Sequence, residues 1–413
     1  MYVEGCQGAR NEVWRSKLPQ GRRHDNVDTG PASGLIGGVT DVWIAGAGMT
    51  RFGKREESLP ALMAEASGLA LSDAGIERPG SIVVAAMNPE EFTGEGNYGS
   101  LIATHLGLSH VPTIRVETAT SSGMAAVYAG YALIASGLQD SVLVVGGEKM
   151  THLPTPRVSE IIGRSIDAHE RSYGSTMPAL AGLITRAAMQ RRGLTLKEIS
   201  LVAVKNHANA ARNPFAHFQE PVTLETVMES RLVADPLRLY HCCPMSDGAA
   251  AVVLRAEPAP VRIAGIGQGM ESIAIRYRSD LTSFRATQVA AEAAYRMAGF
   301  GSERVDVAEL HDAFTPFELL SLEDTGLVPP GKSGRAILDG DTAIGGRLPV
   351  NPSGGLKARG HPLAATGVSQ IVELVWQLRG LAEGRQVDAR IGLAQSIGGL
   401  ATNNWVALLE RRR

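Results

Sequence analysis

Two short stretches of the chain, VWIAGAGMT at residues 42–50 and VRIAGIGQG at residues 261–269, decide the fold. Each has the composition of a short buried strand that runs into a glycine turn. Each is followed by an Ala-rich helical pattern and then by a further apolar strand, SIVVAAM at residues 81–87 and DVAELHDAF at residues 306–314. A strand–helix–strand order that occurs twice predicts an α/β protein with two similar βαβ-rich halves, each built on a buried sheet.

The repeat also predicts how the 413 residues are organised. We assign residues 41–258 to an N-terminal half and residues 259–413 to a C-terminal half, preceded by a flexible extension at residues 1–40. The N-terminal half includes a long insertion at residues 151–235. An excursion of that length usually acts as a lid or shapes a substrate pocket.

The composition excludes several classes of protein. A formal net charge of −2 gives no case for nucleic acid, whose binding needs a basic face, and no apolar run reaches the roughly 18–20 residues of a membrane span. Three cysteines are too few for a disulfide framework, so we expect a cytoplasmic protein.

Because adjacent side chains point in different directions, we interpret Cys242 and Cys243, beside His241, as buried structural thiols rather than metal ligands. We therefore expect no metal site and no nucleic-acid or membrane partner.

The segment TATSSG at residues 118–123 precedes an Ala-rich helical run and offers only hydroxyl groups as nucleophiles. A nucleophile at the start of a helix would lie beside the unpaired N–H groups of the first turn, which stabilise negative charge and can form part of an oxyanion hole. Threonine and serine are also ordinary N-cap residues, so a capped helix start is the alternative interpretation.

Two histidines and two glycine-rich segments provide further candidates. His311 follows an apolar strand, at the edge where α/β folds keep their ligands. His361 lies in NPSGGLKARGHPLAATG at residues 351–367, next to Pro362. So many glycines suggest a loop that approaches a ligand closely rather than one needed for packing. The turn QSIGGL at residues 395–400 could offer backbone N–H groups to an oxyanion.

Over residues 41–410 the chain resembles the thiolase superfamily. The resemblance rests on an ordered set of motifs: VETATSSG, VLVVGGEKM, KNHANAARNPFAHF, CCPMSDGAAAV, HDAFTPFELL, NPSGGLKARGHPLAATG and IGGL. It is closest to the archaeal and sterol-carrier-protein-like branch, in which HDxF replaces the commoner NEAF. The resemblance implies a thiolase fold (a five-layered αβαβα sandwich), an obligate homodimer and an acyl-CoA substrate. Coenzyme A would then enter as part of the substrate, with no bound cofactor.

The resemblance also implies which catalytic groups are present and which are missing. In thiolases a cysteine of a CxSG motif attacks the thioester, a GHP histidine activates it, and a second cysteine in a CxG or HDCF motif supplies a proton. His361 and His311 match the two histidine motifs. The three cysteine positions fall on Thr120, Ser396 and Ala313. We therefore expect a cysteine-less active site, in which a hydroxyl lacks the ready ionisation of a thiol.

The resulting expectation for function is C–C bond chemistry on a CoA thioester without an acyl-enzyme. A β-hydroxyacyl-CoA or β-ketoacyl-CoA would be cleaved or formed by retro-aldol or Claisen chemistry. The enolate would be stabilised by His311 and His361, or by the backbone N–H groups of Thr120 and Gly398.

Aldolases of the superfamily that lack the cysteine act beside an OB-fold partner, so an OB-fold, zinc-ribbon partner is also expected. Those aldolases rely on tyrosines, for which Tyr173 and Tyr240 are candidate substitutes. Three alternatives stay open: an acyltransferase with a Thr or Ser nucleophile, residual acetyl-CoA acetyltransferase activity, and a non-catalytic acyl-CoA-binding subunit of a complex.

Overall fold

The computed structural model describes residues 40–412, so the predicted extension at residues 1–40 lies, apart from Thr40, outside the described residues. The strands in the described part are β1 (Trp43–Met49), β2 (Ser81–Ala85), β3 (Thr113–Val116), β4 (Ser141–Glu148), β5 (Leu232–Ala234), β6 (Leu237–Arg238), β7 (Gly248–Arg255), β8 (Val261–Met270), β9 (Val307–Glu309), β10 (Ile391–Gly398) and β11 (Asn403–Arg411). Nine of these strands form one mixed sheet in the order β3-β2-β4-β7-β1-β8-β11-β10-β9, and β5 pairs with β6.

The predicted repeat is visible in the order of the strands. Outward from the centre, one half of the sheet reads β1-β7-β4-β2-β3 and the other reads β8-β11-β10-β9. Counted outward from the centre, the first two strand pairs of each half are antiparallel and the third pair is parallel. The halves join where β1 and β8 pair over only two residues each. Two similar βαβ-rich halves are thereby confirmed.

Helices cover both faces of each half-sheet. They are α1 (Leu59–Ala74), α2 (Pro89–Thr93), α3 (Tyr98–His105), α4 (Ser122–Ala135), α5 (Thr155–Gly163), α6 (Ala168–Ser172), α7 (Met177–Arg192), α8 (Leu196–Ala210), α9 (Leu224–Glu229), α10 (Arg285–Ala298), α11 (Thr315–Asp324), α12 (Ser333–Leu338) and α13 (Ala365–Arg379). None of the helices within residues 40–412 combines the length and the apolar character needed to cross a membrane.

The alternation of side chains along β7 shows how the layers are stacked. Ala251 and Val253 pack with α1 on the outer face, whereas Val252 and Leu254 pack with α4 and α13 on the inner face. On the other half-sheet, α10 covers the outer face, and α13 also contacts the inner face. Because successive strand residues point to opposite faces, each half-sheet lies between an outer helix and the central helix pair. The predicted five-layered αβαβα sandwich is confirmed.

The two central helices approach each other closely at their N-terminal ends, and this contact positions the site. A Cβ added at Gly123, in the first turn of α4, would lie 2.4 Å from the carbonyl oxygen of Ala364. A Cβ at Gly367, in the first turn of α13, would lie 2.3 Å from the backbone nitrogen of Met124. Only glycine permits this approach of the two backbones. The loops that lead into the two helices therefore converge.

Candidate active site

A cavity of about 180 Å³ lies where these loops converge. Its wall includes Thr120, His311 and His361, so the structure brings together the three residues predicted as catalytic. His311 follows β9, which ends at Glu309, while Thr120 and His361 precede α4 and α13. Much of the remaining wall is apolar, and its outer part is contributed by α5 and by the start of α7 from the predicted insertion. The wall thus combines a few polar groups with an apolar lining, as ligand pockets do.

The two histidines present their rings to each other across the deep end of the cavity. The ring centroids of His311 and His361 are 5.1 Å apart, with the planes nearly perpendicular. The Nδ1 of His311 accepts a hydrogen bond from the backbone N–H of Ile397 at 3.2 Å, so the ring proton of a neutral His311 is on Nε2. The Nδ1 of His361 pairs with the Thr366 hydroxyl at 2.6 Å. That hydroxyl has no other acceptor within residues 40–412, so we assign it as the donor to Nδ1, which puts the ring proton of His361 on Nε2 as well. In both rings Nε2 is therefore the nitrogen left for a ligand.

Burial keeps both imidazoles neutral. It lowers the pKa of His361 to about 3, with a smaller contribution from the Arg359 guanidinium. It also lowers the pKa of His311 well below its usual range, assisted by His361 and by Arg359. A neutral imidazole with a protonated Nε2 is a hydrogen-bond donor rather than a strong base. The pair is therefore suited to stabilising negative charge on a substrate oxygen.

Buried carboxylates join the two histidine loops. Asp312 accepts hydrogen bonds from the backbone N–H groups of Leu356 and Lys357 at 2.6 and 3.2 Å. Glu309 pairs with the fully buried Arg359 at 3.3 Å. Each carboxylate lies within two residues of His311, and each partner belongs to the loop that carries His361. Sequence patterns did not reveal this second set of residues, because its partners are far apart in the chain.

The glycine-rich loop has a different role from the predicted one. All of residues 351–367 are buried, and a Cβ at Gly354, which has a φ of 100°, would lie 2.5 Å from Ala210 of α8. A Cβ at Gly360, with a φ of 113°, would lie 2.7 Å from the Ser246 hydroxyl. Neither glycine belongs to the cavity wall. They allow the loop to pack against neighbouring segments, which holds His361 in place.

The hydroxyl groups before α4 act as structural donors. Thr120 Oγ1 donates to the carbonyl oxygen of Ile397 at 2.7 Å, and Ser121 Oγ donates to that of Thr118 at 2.8 Å. Ser121 occupies the N-cap position of α4 without a side-chain capping bond to any described residue. The simple N-cap interpretation is therefore wrong, although the hydroxyls do stabilise the corner. The Thr120 hydroxyl proton is directed to a backbone carbonyl rather than to His361.

Two further predicted site residues, Ser396 and Gly398, lie on β10 outside the cavity wall. Ile397 and Gly399 line the cavity in their place. Successive side chains of a strand point to opposite faces of the sheet. Because Ile397 faces the cavity, the neighbouring positions 396 and 398 face away from it. A Cβ at Gly398 would lie 2.4 Å from the Ser121 hydroxyl, which shows that this residue packs beneath the corner.

The cavity wall also contains the two adjacent thiols, Cys242 and Cys243. The three positions expected to lack cysteine, Thr120, Ala313 and Ser396, do lack it, but the cavity as a whole is not free of thiols. Adjacent side chains do diverge, but this segment lies at the cavity edge, so both residues can contribute to its wall. Their place in the motif CCPMSDGAAAV was the available signal. The candidate substitutes Tyr173 and Tyr240 do not line the cavity.

Comparison with known proteins gives matches over both halves of the chain. The thiolase N-terminal domain family matches residues 42–258, and the thiolase C-terminal domain-like family matches residues 267–411. The acetyl-CoA acetyltransferase of Methanothermobacter thermautotrophicus is 42% identical over 386 residues, covering 90% of this chain and 100% of the relative. Sterol carrier protein 2 of Bos taurus is 36% identical over 382 residues, covering 86% of this chain and 70% of the relative. A solved structure described as an Ltp2-ChsH2(DUF35) aldolase has a TM-score of 0.78 and 27% identity, covering 90% of this chain and 98% of that one.

Proposed function

Because the chain belongs to the thiolase family and has the thiolase fold, we propose that it is an enzyme acting on an acyl-CoA thioester. The bond that it breaks or forms is the C–C bond between the α and β carbons of a β-hydroxyacyl-CoA or β-ketoacyl-CoA. The reaction is of the retro-aldol or Claisen type and proceeds without a covalent acyl-enzyme. Coenzyme A is part of the substrate.

The observation that carries this proposal is the hydrogen bonding at the nucleophile position. The Thr120 hydroxyl donates to the Ile397 carbonyl at 2.7 Å, and His361 uses its Nδ1 for Thr366. A hydroxyl nucleophile needs a base that takes its proton, with a third group that orients the base. Thr366 orients the His361 ring, but the Thr120 hydroxyl proton is directed to Ile397 and not to His361 Nε2, so the proton transfer that would start such a relay has no hydrogen bond to follow. The two neutral imidazoles instead favour stabilisation of an oxyanion.

In the proposed reaction the thioester oxygen lies between the Nε2 groups of His311 and His361. Two donors at that oxygen lower the energy of an enolate, because negative charge moves onto the oxygen as the C–C bond breaks. For a β-hydroxyacyl-CoA the products are an aldehyde or ketone and a shorter acyl-CoA. The acyl group occupies the apolar part of the cavity, beside Phe314, Phe317 and Leu363.

Replacement of Thr120 by valine tests whether a covalent intermediate forms. Valine removes the hydroxyl while keeping the branched shape, so we expect Thr120→Val to lower turnover by less than tenfold. The expected cost is the lost hydrogen bond to Ile397, about 1 kcal/mol. Turnover is measured by mass spectrometry as the shorter acyl-CoA released from a panel of 3-hydroxyacyl-CoA and 3-oxoacyl-CoA thioesters with aliphatic and aromatic acyl groups.

Intact-mass measurement after incubation with the same thioesters is the companion experiment, with Thr120→Ser as the control that keeps a hydroxyl. No acyl adduct is expected on either the native chain or the Thr120→Ser variant. An acyl group on Thr120, together with loss of all turnover in Thr120→Val, would support the acyltransferase alternative. If the protein binds thioesters of the panel but cleaves none of them, the result would support the alternative of a non-catalytic acyl-CoA-binding subunit.

The proposal extends to partners. The outer edge of β3 pairs with no other strand within residues 40–412, and Ile114 on that strand is 47% exposed. An exposed sheet edge with an apolar residue favours pairing with a second copy, so we propose a homodimer, for which light scattering should give twice the chain mass. The similarity to the Ltp2-ChsH2(DUF35) aldolase supports an additional partner protein. We propose that this partner is the OB-fold, zinc-ribbon protein expected from the sequence, which co-purification after co-expression would test.

A further inference from the structure

The proposed reaction requires a group that donates a proton to the enolate carbon after the C–C bond breaks. Among the protic groups in the deep wall, the Thr120 hydroxyl donates to the Ile397 carbonyl, and the two imidazoles serve the substrate oxygen. Ser159 and Thr176 are exposed residues at the outer part of the wall. The remaining protic groups of the wall are the two thiols, Cys242 and Cys243.

The chain segment that carries the thiols is attached to both histidine loops. On one side, Cys242 forms an antiparallel bridge with Phe314, and the Cys243 N–H donates to the carbonyl of Ala313 at 2.9 Å. On the other side, Met245 forms a parallel bridge with His361. Backbone pairing therefore places the thiol segment between His311 and His361, at the wall of the same cavity.

Hydrogen bonding distinguishes the two thiols, although the residue pairs of both line the cavity. In an antiparallel pair with Cys242 opposite Phe314, the next residues, Cys243 and Ala313, lie opposite each other on one face. The small Ala313 residue, two positions after His311, lines the cavity together with Cys243. Cys242 Sγ donates to the carbonyl of Arg238 at 3.6 Å, whereas Cys243 Sγ makes no hydrogen bond within residues 40–412. The thiol proton that remains available is that of Cys243.

We propose that Cys243 is the general acid that protonates the α-carbon of the enolate, a role that rests on the proposed function. As the C–C bond breaks, the β-hydroxyl proton passes to water and the electron pair moves onto the thioester enolate. The S–H bond of Cys243 then breaks while a C–H bond forms at the α-carbon. The thiolate recovers a proton from water, so the net reaction is β-hydroxyacyl-CoA to carbonyl compound and acyl-CoA.

The surroundings of the thiol suit a group that is protonated at rest and forms a stabilised thiolate when it gives up its proton. Burial raises the pKa of Cys243 to about 12, so the thiol stays protonated at neutral pH. The buried ammonium of Lys357 lies 5.3 Å from the ring centroid of Phe218 and 5.5 Å from that of Tyr240. Its charge lowers the pKa of Cys243 against the effect of burial. The same charge therefore stabilises the thiolate that remains after proton donation.

Acryloyl-CoA is a probe of this geometry, because it carries an electrophilic β-carbon on a CoA thioester. Addition of a thiol forms an S–C bond at the β-carbon and places the thiol proton on the α-carbon. We expect a mass increase of one acryloyl-CoA, mapped to Cys243 by peptide sequencing and prevented by excess acetyl-CoA. Label on Cys242 or Cys6 with none on Cys243 would overturn the assignment.

Exchange of the α-protons of acetyl-CoA in D₂O provides the functional readout. Cys243→Ala is expected to slow exchange by about 10²-fold or more, the usual contribution of a positioned acid–base group. The affinity of the Cys243→Ala variant for acetyl-CoA and its midpoint of urea unfolding should stay at the native values. Agreement of both quantities would show that the variant keeps the native fold. Cys242→Ala is the comparison, and a larger loss in that variant than in Cys243→Ala would contradict the inference.

The two proposals fail in different ways. If Cys243→Ala exchanges α-protons at the native rate, Cys243 is not the acid, whatever the native chain does to a β-hydroxyacyl-CoA. If the native chain exchanges α-protons through Cys243 but cleaves no member of the thioester panel, the proposed function fails while the assignment of Cys243 stands.

Discussion

Replacement of His361 by alanine is expected to lower kcat for thioester cleavage by about 10²–10³-fold, the usual loss when one donor of an oxyanion site is removed. Burial and the hydrogen bond that Nδ1 accepts from the Thr366 hydroxyl hold the ring in place, so that water cannot readily supply an equally oriented donor. Affinity for the thioester should change little, because the donor acts mainly on charge that develops in the transition state. Steady-state kinetics and a separate measurement of the Kd for acetyl-CoA give both quantities.

The matched control is His105→Ala, which removes an exposed histidine on α3 and should leave kcat at the native value. The pH profile is a second check. Since burial lowers the pKa of His361 to about 3, the ring gains a proton only far below neutral pH. We therefore expect no loss of kcat/KM from imidazole protonation between pH 8 and pH 5. A His361→Ala variant with kcat within threefold of native would contradict the oxyanion role.

Replacement of Arg359 by methionine is expected to lower the free energy of unfolding by about 3–5 kcal/mol, the usual cost of removing one partner of a buried ion pair. Arg359 and Glu309 are both fully buried, so methionine would leave the carboxylate without its cation. The same change should reduce turnover, because this pair joins the loops that carry the two histidines. Urea unfolding followed by tryptophan fluorescence measures the stability.

Arg335→Met is the matched control, because it makes the same substitution at an exposed ion pair with Asp339. Such a pair on the surface of a helix contributes only about 0.3–0.5 kcal/mol. The loss of unfolding free energy in Arg359→Met should also depend on pH. Burial already raises the pKa of Glu309 to about 7, and loss of the guanidinium raises it further.

The direction of that pH dependence follows from proton linkage. Between the unfolded pKa of a glutamate, about 4.3, and the raised native pKa, the folded variant binds more protons than the unfolded chain. Its stability is therefore lost as the pH rises. The native chain behaves in the same way up to the Glu309 pKa of about 7, whereas the variant goes on losing stability above it, so the difference between the two should be larger at pH 8 than at pH 5. Equal stability of Arg359→Met and Arg335→Met at pH 8 would show that the buried pair contributes little.

Local patterns in the sequence determined the fold and two of the site residues. The glycine-turn strands at residues 42–50 and 261–269 predicted the two halves, because strand periodicity and tight turns depend on neighbouring residues. His311 and His361 could be identified from short motifs at the ends of strands and loops. The same motifs predicted correctly that Thr120 would lie beside them.

Only the tertiary structure decided how those residues are used. The partner of the Thr120 hydroxyl is the carbonyl of Ile397, from the other half of the chain, and no local pattern encodes that contact. The direction of Ser396 away from the cavity and the position of Cys243 in its wall depend on strand alternation and on backbone pairing with distant loops. The sequence by itself determined the strands, the glycine turns and the motif residues, because these depend on neighbouring residues. Which atoms face the substrate was decided by pairings between segments that are far apart in the chain.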